Sequence, residues 1–269
     1  MGRRVPFWGI ILIAIGLLLL LDNLGVFGDL DVWGVFWPLL LIGFGAWVLL
    51  GVFHRGRPAE IGRASIPLEG ASQARIKIQH GAGRLTVGAG AGPDELAAGD
   101  FAGGLDYTAH RDGDALEVSM KIETTAWASA GFPWNFGPGS ALDWNVRFND
   151  RIPLALKLET GASESTLDLA GLRVTELKVE TGASATRITL PASAGLTQVK
   201  VSSGAASVNI RVPEGVAARI RVESGLAGIA IDGNRFPRVG GIYQSPDYDT
   251  AANKADIKIE TGVGSVDVR

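Results

Sequence analysis

Short runs of alternating apolar and polar residues flank a recurring glycine, and the pattern returns in six places: "IKIQHGAGRLTV" (76–87), "LKLETGASESTL" (156–167), "LKVETGASATRI" (177–188), "VKVSSGAASVNI" (199–210), "IRVESGLAGIAI" (220–231) and "IKIETGVGSVDV" (257–268). Aligned on Gly81, Gly161, Gly182, Gly204, Gly225 and Gly262, every copy has an aliphatic residue five and three positions before the glycine and another six after it. This alternation predicts a half-buried strand on each side of the glycine. The middle copies are spaced by 21, 22 and 21 residues, and a fixed period of this size marks a solenoid or array. Each unit reads as strand, tight corner at the glycine, strand, and a second corner at "LAGL", "LPASAGL" or "VPEGV". Glycine takes a positive φ without steric cost, which suits it to the first corner, and the small residues after it let corners stack. One unit alone leaves its apolar face bare, and stacking covers it. The expected fold is mainly β, a repeat-built β-solenoid.

The same alignment lines up charges on the outward positions. Four residues before the glycine stand Lys77, Lys157, Lys178, Lys200, Arg221 and Lys258; two before it stand Glu159, Glu180, Glu223 and Glu260, with Gln79 and Ser202 in the other copies. Stacking sets a basic row beside a mainly acidic one. Two readings stay open: a solvated face of compensating charges, since a surface pair contributes only about 0–1 kcal/mol, or a docking strip for a partner or for acidic lipid head groups.

Ahead of the repeats the hydropathy changes character. "VPFWGIILIAIGLLLLL" (5–21) and "VWGVFWPLLLIGFGAWVLLGVF" (32–53) carry no charge, and each is long enough to cross a hydrocarbon core as a helix. Arg3 and Arg4 precede the first, His54, Arg55 and Arg57 follow the second, and the only charges between them are Asp22, Asp29 and Asp31. The positive-inside rule then places both termini in the cytoplasm. A cleaved signal peptide would need a small-residue cleavage site, and "LLLDNLG" offers none. The organisation expected is a transmembrane helical hairpin over 1–53, a basic linker over 54–65, and the β domain over 66–269.

Two insertions interrupt the repeats, at 124–150 and 233–256. The first holds Trp127, Phe132, Trp134, Phe136 and Trp144, which either pack over an open end of the solenoid or form a binding loop, with Trp127, Trp134 and Phe136 as candidate partner contacts. The sixth copy runs to Val268 with Arg269 after it, so the final rung has no cap of its own. Either an insertion folds over that end or a second chain stacks there, giving a homo-oligomer.

Composition removes whole classes of chemistry. With no cysteine there is no disulfide framework and no thiolate metal site. A net charge of −3 argues against nucleic acid, which normally calls for a basic excess. His54, His80 and His110 fall in a membrane flank, a corner and a turn without metal spacing or an acid–base partner, and read as surface residues. "GAGRLTVGAGAG" lacks the helix that a phosphate loop requires. No catalytic, metal or cofactor residues are assigned, and no enzyme is expected.

"WGIILIAIGLLLLLDNLGVF" followed by "VWGVFWPLLLIGFGAWVLL" resembles the LiaI/LiaF-type transmembrane region, including the run from Trp37 to Gly43. "DWNVRFNDRIPLALKLETGASESTLDLAGLRVTELKVETGASATRITLP" (143–191) is similar to the toast-rack β domain of LiaF-like cell-envelope stress proteins and related adhesin-like proteins. The resemblance implies a bacterial inner-membrane protein whose cytoplasmic β domain serves as an interaction module in envelope-stress regulation. Its partners would be the lipid bilayer and a membrane sensor kinase or another envelope-stress protein. The alternative is an adhesin-like, membrane-anchored scaffold. The family supplies no catalytic residues.

Overall fold

The computed structural model describes residues 61–123 and 142–269, together with Trp37 and Ile42. The chain divides into two units, Met1–Arg55 and Gly56–Arg269. In the first, Trp37 and Ile42 are helical and exposed; the rest of the expected hairpin lies outside the described residues, as do Trp127, Phe132, Trp134 and Phe136.

The described part of the second unit consists of β1 (Ile61–Pro67), β2 (Gln73–Ala89), β3 (Glu95–Ala102), β4 (Leu105–Asp112), β5 (Ala115–Ile122), β6 (Trp144–Phe148), β7 (Pro153–Asp168), β8 (Arg173–Thr189), β9 (Leu196–Arg211), β10 (Ala217–Ile231), β11 (Arg238–Val239), β12 (Ile242–Gln244) and β13 (Lys254–Val268). The six repeat copies are the six long strands β2, β7, β8, β9, β10 and β13. Neighbours among them pair in parallel, so equivalent positions stack: Leu156 on Leu177, Lys157 on Lys178, Val201 on Ile259.

The alternation works as the sequence implies. Leu156, Leu158, Leu177, Val179, Val199, Val201, Ile257 and Ile259 before the glycines, and Leu167, Ile188, Val208, Ile210, Val266 and Val268 after them, are buried in one core. A buried aliphatic side chain is worth about 1.5–3 kcal/mol and an exposed ion pair about 0–1. The aliphatic rows, not the charged ones, therefore hold the strands in register.

Three sequence expectations need correction. The first concerns the glycine. The two halves of each copy belong to one long strand, and pairing lapses only at the glycine: Thr160 pairs with Thr181 and Ala162 with Ala183, while Gly161 and Gly182 are skipped. None of the six repeat glycines adopts a positive φ. At the second corners Gly195 (φ 73°) and Gly215 (φ 78°) do adopt it. Glycine is needed at the bend because its neighbour comes too close. A Cβ on Gly182 would lie 3.0 Å from the Gly161 carbonyl oxygen, on Gly225 2.8 Å from that of Gly262, and on Gly262 2.6 Å from that of Gly204.

The second correction concerns order. The long strands run β2-β7-β8-β9-β13-β10 across the sheet, so the sixth copy slots between the fourth and fifth. β13 has β9 on one side and β10 on the other. It is not an uncovered terminal rung, and the end of the stack is β10. The 233–256 insertion covers the first half of that strand: β12 pairs with Arg219 and Ile220, and Phe236 and Tyr248 are buried.

The third concerns the other end. There β2 is flanked by β5 along its first half and by β6 along its second, which splits the sheet into a β5-β4 arm and a β6-β3-β1 arm. β1 begins at Ile61, inside the stretch read as linker, because it pairs with β3. β6 lies within the 124–150 insertion. Its Trp144 is buried edge-on to Phe101, ring centroids 5.0 Å apart, and its indole Nε1 donates to the Ala102 carbonyl at 3.2 Å. The packing reading thus fits Trp144.

Candidate interaction surface

In-register parallel pairing stacks like charge on like charge, and the structure offsets this by interleaving the two rows. Glu159 accepts Lys157 at 2.7 Å and Lys77 at 3.0 Å; Glu180 accepts Lys178 at 2.7 Å and Lys157 at 3.5 Å. Each carboxylate bridges two strands. In β9 the acid is replaced by Ser202, so Lys200 reaches Glu260 at 3.2 Å, where Lys258 also binds at 2.8 Å and the Ser202 hydroxyl donates at 3.1 Å. Gln79 does the same at the other end, donating to Glu159 at 2.8 Å. Lys258 also meets Glu223 at 3.2 Å, and Arg221 turns to Asp256 at 3.3 Å.

The electrostatics follow. Hydrogen bonding from Lys157 above all, then from Lys77 and Gln79, pulls Glu159 down to about 2. Lys258 first and Lys200 next do the same for Glu260, also to about 2. Glu180 is lowered chiefly by Lys178, while Lys157 and Lys258 are raised, chiefly by Glu159 and Glu260. The basic residues singled out in the sequence, Lys157, Lys178, Lys200, Arg221 and Lys258, are thus brought into one row, and every one is ion-paired. The geometry matches the compensated face.

Beside this ladder runs a trough of about 1340 Å³, lined by the glutamates, the hydroxyl row Thr160, Thr181, Ser203 and Thr261, and four of the repeat glycines, Gly81, Gly161, Gly225 and Gly262. Glycine leaves no side chain to fill it, so the trough crosses all six long strands. At its β2 end lies His80, which the sequence reading placed on the surface. It is 1% exposed, because the position before the glycine faces inward, as Thr160, Thr181 and Thr261 do. Its Nε2 contacts the Leu142 carbonyl at 2.7 Å. A carbonyl only accepts, so Nε2 carries the proton. Nδ1, like Thr160 Oγ1 and Thr181 Oγ1, is buried without a hydrogen-bond partner. Burial holds the imidazole below its ordinary pKa, against the opposing pull of the Leu142 carbonyl and Asp143. His110 is exposed on β4. Among the described residues no group of three acidic or histidine side chains is arranged to hold a metal.

Two further glycines were missed. Gly83 (φ 109°) and Gly264 (φ 134°) stand two positions after the repeat glycine in the first and sixth copies. Side chains there would run into the carbonyls of Leu142 and Ala206 respectively. The other copies have Ser163, Ser184, Ala206 and Ala227 at this position, so small size was the available signal.

The β architecture is shared with a solved structure. A candidate cell adhesion protein from Clostridium sporogenes ATCC 15579 superposes with a TM-score of 0.68 at 20% identity, covering 78% of this chain and 98% of its own. A candidate adhesin from Bacteroides fragilis NCTC 9343 is more distant, with a TM-score of 0.26 at 7% identity, covering 79% and 99%. No curated protein matches the sequence. Residues 6–49 match the LiaI-LiaF-like transmembrane region, which marks a membrane protein. Residues 57–211, more than half of the chain, match the N-terminal domain of toast_rack, DUF2154, and the chain belongs to that family.

Proposed function

We propose that this is a non-enzymatic bacterial membrane protein that holds its toast-rack domain at the cytoplasmic face as an interaction module in cell-envelope stress regulation. The observation that carries this reading is the succession, on one chain, of a LiaI-LiaF-like transmembrane region at 6–49 and a toast-rack domain from residue 57. The orientation is supported by Arg3, Arg4, His54, Arg55 and Arg57 outside the two apolar runs, against only Asp22, Asp29 and Asp31 between them. A membrane sensor kinase or another envelope-stress protein is the partner class. Trp127, Trp134 and Phe136 are candidate contacts, and the ion-paired ladder with its trough offers the extended polar surface.

A second reading draws on the likeness to the clostridial candidate cell adhesion protein: a membrane-anchored scaffold displaying the same domain outside the cell. Topology separates the two. Reporters fused after Arg269 should be active when they need the cytoplasm, as a fluorescent protein does. Activity only from a reporter that needs export, such as alkaline phosphatase, would sink the signalling reading and favour the scaffold.

A further inference from the structure

The free sheet edges in the described domain differ in how they are protected. β1, which pairs only with β3, carries Arg63 and ends at Pro67. β4, which pairs only with β5, carries Asp106, His110, Arg111 and Asp112. β11 carries Arg238. β10 is different. β13 flanks it along its length and β12 only at Arg219 and Ile220, so beyond Glu223 its outer edge has no partner among the described residues. That edge is "GLAGIAI", Gly225–Ile231, without one polar side chain. The other five copies each place a charged or amide residue in the same stretch: Arg84, Glu164, Arg187, Asn209 and Asp267. Leu226 is 83% exposed and Ile229, on the core-facing side, 43%. An open edge recruits other strands unless charge, proline or a bulge keeps them away, and this one carries neither charge nor proline.

We propose that this edge pairs with the same edge of a second copy of the chain, antiparallel about a twofold axis at Gly228. The size pattern of the segment complements its own reverse. In that register Leu226 falls opposite Ala230, Ala227 opposite Ile229 and Gly225 opposite Ile231, so each large side chain meets a small one on both faces. Gly228 meets itself. No like charges are opposed along the segment, and at its ends the Ser224 hydroxyl, a donor, faces the Asp232 carboxylate, an acceptor. This is the self-complementarity that a twofold interface requires, and it joins two sheets and two cores into one. Seven paired residues, about 24 Å of strand, are far fewer than the roughly 20–30 residues a side of a standard interface. The dimer is therefore weak, and it forms where a membrane anchor raises the effective concentration of the chains. It does not depend on the signalling reading.

The chain has no cysteine, so one introduced thiol reports alone. Gly228→Cys is sterically open, since nothing lies within 4 Å of the added Cβ. In the proposed register the two Cα atoms lie about 4.5–5.5 Å apart, within disulfide reach. In full-length protein in native membranes, mild oxidation should link Gly228→Cys chains at least about tenfold faster than Thr108→Cys on exposed β4. Ala230→Cys alone should stay at the control rate, because its register mate is residue 226, and the double variant Leu226→Cys/Ala230→Cys should link. Adding Leu226→Lys to Gly228→Cys should return linkage to the control rate. If Gly228→Cys links no faster than the control while its thiol reacts freely with maleimide, the edge is open to water. If its thiol is shielded without forming dimers, another segment covers the edge. Either result overturns the proposal.

Discussion

The carbonyl oxygen of Gly204 lies 2.6 Å from the point a Cβ would occupy on Gly262, while that of Gly182 lies 3.2 Å from the same point on Gly204. The bend is therefore tighter where β13 enters between β9 and β10 than between β8 and β9, and it is closest of all where Gly161 meets the Gly81 carbonyl, so the cost of a methyl group should be graded along the row. Gly262→Ala and Gly225→Ala push on backbone that has nowhere to go and should cost about 3 kcal/mol or more; Gly182→Ala and Gly204→Ala, with a few tenths of an ångström to recover, should cost about 1 kcal/mol. Denaturant unfolding of the β domain measures this. Equal losses at all four positions would mean that close carbonyl approach does not select glycine here.

That row also shows what the sequence could and could not reveal. The strands, their inward rows and the paired charges were legible because each follows from a period of two repeated six times. The reason for the glycine was not, since a residue absent for want of space and one present for its φ leave the same letter. Strand order was concealed as well, because stacked rungs of one pattern are nearly interchangeable. The one clue was Ser202: β9 lacks a carboxylate of its own, and Glu260 supplies it. His80 was misplaced although its register was in hand, because the position before the glycine is inward in every interior strand. The open edge of β10 became meaningful only once β13 was known to lie inside it.

Acid should loosen the charged ladder within a definable window. Glu159 and Glu260 both titrate near 2 in the folded chain against an ordinary value of 4.5. Their folded pKa is depressed, so their contribution is complete above about pH 4.5 and disappears as the pH falls toward 2. Unfolding midpoints should therefore drop across that interval, and Glu159→Gln should flatten the drop while costing no more than about 1 kcal/mol at neutral pH, the scale of a partly exposed pair. A drop of undiminished steepness in that variant would place the acid sensitivity elsewhere.

His80 should act at higher pH. Burial lowers its folded pKa below 6.5, so the unfolded chain takes up the proton first and stability declines once the pH passes below 6.5. His80→Thr installs the residue that β7, β8 and β13 carry at this position. It should cost roughly 2 kcal/mol at pH 8, through the lost bond to Leu142 and the smaller side chain. The gap between wild type and variant should narrow as the pH falls below 6.5; a constant gap would show that the imidazole does not titrate differently on folding.

The 233–256 insertion should behave as a lid on the first half of β10. Phe236 is fully buried there, and the Arg235 guanidinium donates to the Val212 and Pro213 carbonyls at 2.8 and 3.1 Å, tying the insertion to the corner after β9. Tyr248 closes the other side, with the Arg219 guanidinium 4.1 Å from its ring centre and the Arg219 Nε donating to Gln244 at 2.8 Å. Phe236→Ala removes the largest of these apolar plugs and should cost about 3–5 kcal/mol. The loss should also be local before it is global, since β10 is the last long strand and only β13 would still hold it. Amide hydrogen exchange along Ala217–Val222 should then accelerate well before that of β7 and β8, whose pairing the substitution leaves untouched. If exchange instead rose equally in all the long strands, the insertion would be an integral part of the cooperative core and not a separable cover for its end.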